Sequence, residues 1–143
     1  MRLQNKVAII TGGSRGIGYA TAEAFLREGA KVIITASTQE NAQKAAEKLR
    51  ALYPKGEVMG ISPNLANYKE VEDAFVIATA QFGCVDVLVN NAADGDMDGI
   101  DTIETLSQKV IDDTFAVNVR GSILMTREFV NHRGDYGRII NLS

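Results

Sequence analysis

Four apolar residues in succession, Val7, Ala8, Ile9 and Ile10, run without alternation into a polar, glycine-rich stretch. A continuous apolar run of this length reads as a strand buried on both faces. Beyond the glycines the period changes: Ile17, Ala20, Ala24 and Phe25 fall three or four apart and predict one face of a helix. Strand-like runs recur at residues 32–34, 58–61, 85–89 and 138–142. Helical spacing separates them. One pattern starts at about Asn41 and carries Ala42, Ala45, Ala46, Leu49 and Leu52, and a second has Val71, Ala74, Phe75, Ala78 and Phe82. A longer one begins near Thr105 with Leu106, Val110, Phe115, Val119, Ile123 and Leu124. Strands alternating with helices predict a parallel sheet covered on both faces, joined by right-handed crossovers. The expected fold class is therefore α/β, a doubly wound sheet of strand order 3-2-1-4-5, with its ligand crevice between the ends of strands one and four. The glycine-rich segment and Asn90-Asn91 then share that crevice.

Composition narrows the picture modestly. With 143 residues, 45% of them hydrophobic, the chain can bury one core, and no repeat, low-complexity tract or long linker divides residues 1–143. A net charge of -3 without a basic run argues against a nucleic-acid partner. The single Cys84 excludes an internal disulfide framework and suits a reducing cytoplasm; opening an apolar run, it is expected in the core. No apolar stretch reaches membrane-spanning length and no signal-like segment precedes the first strand, so a cytoplasmic protein free of membranes is expected. Asp94, Asp96, Asp98 and Asp101 alternate with Gly95 and Gly99, a pattern read as a solvated substrate loop, and no metal site is expected. His132, in a polar segment, is expected at an exposed loop or helix end.

The chemistry concentrates at Gly12, Gly13, Gly16 and Gly18. Glycine lets the backbone turn tightly or approach a ligand, and the free amides of the following helix then face any anion placed there. A dinucleotide's pyrophosphate suits that field; a tight turn with no ligand is the alternative. No Lys followed by Ser or Thr closes the glycines, which argues against a nucleoside triphosphatase.

These residues also carry a resemblance. TGGSRGIG at residues 11–18 resembles the Thr-Gly-x-x-x-Gly-x-Gly signature of short-chain dehydrogenases/reductases, and NNAA at 90–93 resembles their Asn-Asn-Ala-Gly segment. Asn118 in FAVNVRGS is similar to the family's active-site asparagine, and GRIINLS at 137–143 to the strand leading to its catalytic serine. The resemblance implies a Rossmann-like fold and a cofactor site made by Gly12, Ser14, Arg15, Gly16, Ile17, Gly18, Ser37, Thr38, Asn64, Leu65, Asn91, Ala92 and Ala93. Asn118 is the one implied active-site residue present; in the family it maintains a local helix distortion and a water serving the catalytic lysine.

Departures from the family pattern shape the remaining expectations. Ala36 stands where NAD-specific relatives often carry Asp, and Arg15 lies where a 2'-phosphate could be met, so NADP is expected, with NAD the alternative. Ser37 and Thr38 either donate hydroxyls to that phosphate or serve as a helix cap or turn. Asn64 replaces an Asp that receives the adenine amino group, and its amide oxygen can accept the same bond. Ala93 replaces a glycine, costing about 1 kcal/mol if its φ is positive and nothing if only room is needed. Asn90 and Asn91 are expected to bridge neighbouring strands at the cofactor wall. By the same resemblance the catalytic serine would fall at position 144 and the Tyr-x-x-x-Lys pair later, so the chain is expected to stop after strand five and to transfer no hydride alone. The implied function is the cofactor-binding part of an NADP(H)-dependent oxidoreductase acting on a carbonyl or alcohol, resembling 3-oxoacyl-carrier-protein reductases or sugar-alcohol dehydrogenases. A non-catalytic nucleotide-binding or regulatory protein of the same fold is the alternative. The expected partners are a small-molecule substrate in a complete enzyme, and a second copy or a complementing C-terminal fragment.

Overall fold

A computed structural model of the chain describes residues 1–94 and 102–143. Five strands, β1 (Val7–Ile10), β2 (Lys31–Thr35), β3 (Val58–Ile61), β4 (Val87–Asn90) and β5 (Arg138–Asn141), form one parallel sheet in the order β3-β2-β1-β4-β5. That is the order expected for a doubly wound sheet. Ile9 sits between Ile33 of β2 and Leu88 of β4, so the first strand is central.

Alternation of side chains along the strands divides the core into two layers. Ala8 and Ile10, with Val32, Ile34, Val87 and Val89, pack against α1 (Gly16–Arg27) and α2 (Gln39–Leu52) through Ala22, Leu26, Ala45, Ala46 and Leu49. On the opposite face Val7, Ile9, Ile33 and Leu88 meet Val71, Phe75 and Ala78 of α3 (Tyr68–Phe82). Leu124, Met125 and Phe129 of α5 (Ser122–His132) join the same layer. Every residue of β1 and β4 is buried, as a strand covered on both faces requires.

Four local expectations are corrected. The buried stripe of α1 is Gly18, Ala22 and Leu26, with Phe25 half-buried, whereas Ile17 is 66% exposed and Ala20 and Ala24 are also exposed. Gly18 presents no side chain, so a pattern drawn from apolar side chains missed its face. Cys84 is exposed rather than buried: Gly83 ends α3 at φ 89°, the chain bends, and β4 begins only at Val87. The long helix expected near Thr105 is α4 (Gln108–Phe115), then a π-helical segment (Ala116–Gly121), then α5. Leu124 alone of its six apolar positions is buried. Leu52, placed on the α2 face, is exposed at that helix's last turn.

Candidate functional site

β1 and β4 end side by side, and their ends are tied together by side chains. The Thr11 hydroxyl, 2% exposed, accepts from the amides of Asn91 (3.0 Å) and Ala92 (2.9 Å) and donates to the Val89 carbonyl (3.3 Å). In return the Asn91 side-chain amide donates to the carbonyls of Thr11 (2.9 Å) and Gly12 (3.2 Å). Asn90 donates to Asn141 of β5 (2.9 Å) and to Thr126 of α5 (3.3 Å). Both carboxamides therefore bridge neighbouring elements, as expected of them.

Against this frame the glycine turn packs without spare room. A methyl group at Gly18 would stand 2.3 Å from the Gly12 carbonyl oxygen and 2.5 Å from the Asn91 amide nitrogen, so α1 can seat against the β1–β4 junction only through a glycine. Gly16 is the opposite case. Its φ is 55°, and nothing lies within 4 Å of the space a side chain would take, so the turn leaves open space over the start of α1. The Gly12 amide is held by the Thr35 hydroxyl of β2 (3.2 Å).

The first turn of α1 is electrostatically vacant as well. Thr38, Asn67 and Ser107 cap α2, α3 and α4 with their side chains, whereas Arg15, at the start of α1, makes no side-chain cap and no acidic residue follows in the first turn. Unsatisfied amides carrying the positive end of a helix dipole suit an anion. Arg15 is exposed and enters no ion pair among the described residues. Ser14 is half-buried in the same turn, and Ile17 projects from it into solvent. A dinucleotide's linked phosphates fit this donor set and the open space beside it.

Other residues expected at the site are distributed along the same sheet edge. Ser37 and Thr38 are exposed after β2, and Thr38 is a helix cap, its oxygen accepting from the Asn41 amide (3.2 Å). Asn64 already accepts from the Ala66 amide with its carboxamide oxygen (3.0 Å), while its backbone N–H donates to the Glu70 carboxylate (2.7 Å). Leu65 is 9% exposed and its side chain belongs to the core. Ala92 is half-buried against the α3 layer. Ala93 is not among the residues with positive φ, so the missing glycine causes no backbone strain there.

Asn118 lies inside the π-helical segment. Its carboxamide pairs with Asp94 like a strand residue, accepting from the Asp94 amide (2.6 Å) and donating to its carbonyl (3.3 Å). With Asn90, Ser122, Thr126 and Asn141 it lines a cleft of about 430 Å³ at the β4–β5 end. Of the acidic loop, Asp94 is exposed, while Gly95, Asp96, Asp98, Gly99 and Asp101 lie outside the described residues. His132 ends α5 half-buried, beside the Phe75 ring and the buried Glu128. Sequence reasoning missed the structural part played by Thr11 and Thr35; hydroxyls closing buried strands were the available signal. Among the described residues no helix is long and apolar enough to cross a membrane.

A model of the short chain dehydrogenase family matches residues 6–143. Galactitol 2-dehydrogenase of Agrobacterium fabrum is 35% identical over 146 residues, covering 100% of this chain and 54% of its own. The 3alpha-hydroxysteroid dehydrogenase of Mediterraneibacter gnavus is 45% identical over 92 residues, 64% of this chain and 37% of that one. A Burkholderia cenocepacia short chain dehydrogenase solved in complex with NADP superposes with a TM-score of 0.88 at 36% identity, covering 99% of this chain and 56% of the other. The chain thus spans about half the length of the curated relatives it matches. Strand order, glycine turn and paired asparagines agree with that match, and the chain belongs to the short chain dehydrogenase family.

Proposed function

We propose that residues 1–143 are the NADP(H)-binding part of an oxidoreductase that reduces a carbonyl or oxidises an alcohol. The observation that carries this reading is the uncapped start of α1, open above Gly16 and set by Gly18 against the β1–β4 junction. The amides there, with Ser14, hold the pyrophosphate. Ile17 and Ala92 to Ala93 line the path toward the nicotinamide, and Asn64 and the Leu65 backbone flank the adenine. Arg15, with the hydroxyls of Ser37 and Thr38, meets the 2'-phosphate; no carboxylate stands at Ala36 to repel it. When bound, the nicotinamide supplies or accepts hydride. Printed names among the relatives, sorbitol dehydrogenase of Cereibacter sphaeroides for one, fit alcohol or carbonyl chemistry.

Titration with NADPH and NADH, followed by fluorescence, tests the reading. NADPH is expected to bind more tightly, and Arg15→Ala to weaken NADPH about 10- to 100-fold, the worth of one charge-assisted bond, while leaving NADH unchanged. Equal or tighter NADH binding would overturn the role of Arg15; no binding of either would overturn the function.

The second reading is a non-catalytic nucleotide-binding protein of the same fold; the Tyr-x-x-x-Lys pair that the family resemblance implies would stand later than Ser143. Ketone reduction upon adding a C-terminal half that contains the pair would decide for the oxidoreductase. The same reading places a small-molecule substrate at the Asn118 cleft and pairs two copies through α4 and α5, or pairs the chain with such a fragment. We propose a cytoplasmic location, which the single Cys84 suits.

A further inference from the structure

We infer that Gln39 is a positioning residue for the adenosine half of the dinucleotide, strapping the loop after β2 to the loop after β3. The inference rests on the proposed NADP(H) site.

Both ends of the Gln39 carboxamide are engaged across the chain. Its nitrogen donates to the Gly60 carbonyl of β3 (3.2 Å), and its oxygen accepts from the Ser62 hydroxyl just beyond that strand (3.2 Å). Gln39 is the first residue of α2 and directly follows Ser37 and Thr38; Ser62 is followed by Pro63 and Asn64. One side chain therefore sets the separation of the two loops that flank the base and its ribose.

The strap acts on a joint that has no slack. A methyl at Gly60 would lie 2.3 Å from the Ala42 carbonyl oxygen, so the first turns of α2 rest directly on β3. Ala36 continues the β2–β3 pairing by donating to the Ile61 carbonyl (3.1 Å). Past Ala36 and Ile61 the backbone ladder stops, and the Gln39–Gly60–Ser62 contacts carry the join onward to the loops. Gln39 is exposed, so the core does not explain these bonds, while their place at the crevice edge does.

Gln39→Met keeps the length of the side chain and removes both bonds. Binding of 2',5'-ADP and of NADPH is expected to weaken about 3- to 10-fold, the scale of one or two neutral hydrogen bonds. Ser62→Ala should weaken both by less. The double variant should bind no worse than Gln39→Met, because the two residues share one strap. A bond serving only stability would lower the urea midpoint without changing affinity, since the folded fraction stays near one. Unchanged 2',5'-ADP affinity in Gln39→Met, or additive losses in the double variant, would overturn the inference. Should Gln39→Met fail to fold, an unchanged affinity in Ser62→Ala overturns it equally. If the unsubstituted chain binds neither ligand, the underlying site is wrong; if it binds both and only the variants fail to respond, the strap alone is wrong.

Discussion

At the scale of single residues the crevice depends on a few polar atoms whose partners are fully specified. Thr11 is the clearest. One buried hydroxyl oxygen satisfies two backbone amides of the segment after β4, at 3.0 and 2.9 Å, and its hydrogen is taken by Val89. Thr11→Val keeps the shape but strands both amides, and each unpaired buried donor costs about 1 to 3 kcal/mol. Urea denaturation is expected to show a loss of about 2 to 6 kcal/mol, with Thr11→Ser recovering most of it. Loss of less than about 1 kcal/mol would mean that water replaces the hydroxyl and that the junction is not sealed. The same closeness explains why Gly18 faces Gly12 and Asn91 with no side chain of its own. Other residues were legible only as alternatives. Thr38 read equally as a phosphate donor and as a helix cap, and the cap is a contact made within its own helix. The cost at Ala93 turned on the sign of one φ, which no sequence pattern encodes.

At the scale of elements, patterns that follow side chains were readable, and features set by backbone geometry were not. The five strands and the buried stripes of α2 and α3 follow from apolar spacing. The face of α1 was misplaced because its contact begins at a glycine, and Cys84 because a helix-ending bend precedes β4. The break between α4 and α5 is similar: residues 106–124 carry continuous helical spacing, yet six of them wind as a π-helix. π-helical segments in general gather at functional sites, where they turn a side chain out of register. Here that side chain is Asn118, whose double bond to Asp94 joins the segment to the loop after β4. Asn118→Leu should free the Asp94 amide, raising its hydrogen exchange, and cost about 0.5 to 1.5 kcal/mol in stability. Protection of α5 should remain, because Leu124, Met125 and Phe129 hold that helix on the sheet. Exchange rising along all of α5 would show instead that Asn118 maintains the helix itself.

At the scale of the whole molecule the two faces of the sheet are unequally covered. α1 and α2 bury one side, while on the other the outward surface of α4, the π-helical segment and α5 exposes Phe115 (62%), Val119 (47%) and Ile123 (62%). All four residues of β5 are exposed, among them Ile139 and Ile140. An apolar row of this kind on the helices marks an interaction surface. Pairing of two copies through the α4–α5 surface makes a specific demand: Phe115→Glu with Ile123→Glu should shift the chain toward monomer in sedimentation velocity. NADPH affinity should be kept, since neither residue belongs to the glycine turn. Both side chains are exposed, so the carboxylates disturb no packed interior and a loss of association reads on the interface alone. If the doubly substituted chain still pairs, the α4–α5 surface is not the contact between copies.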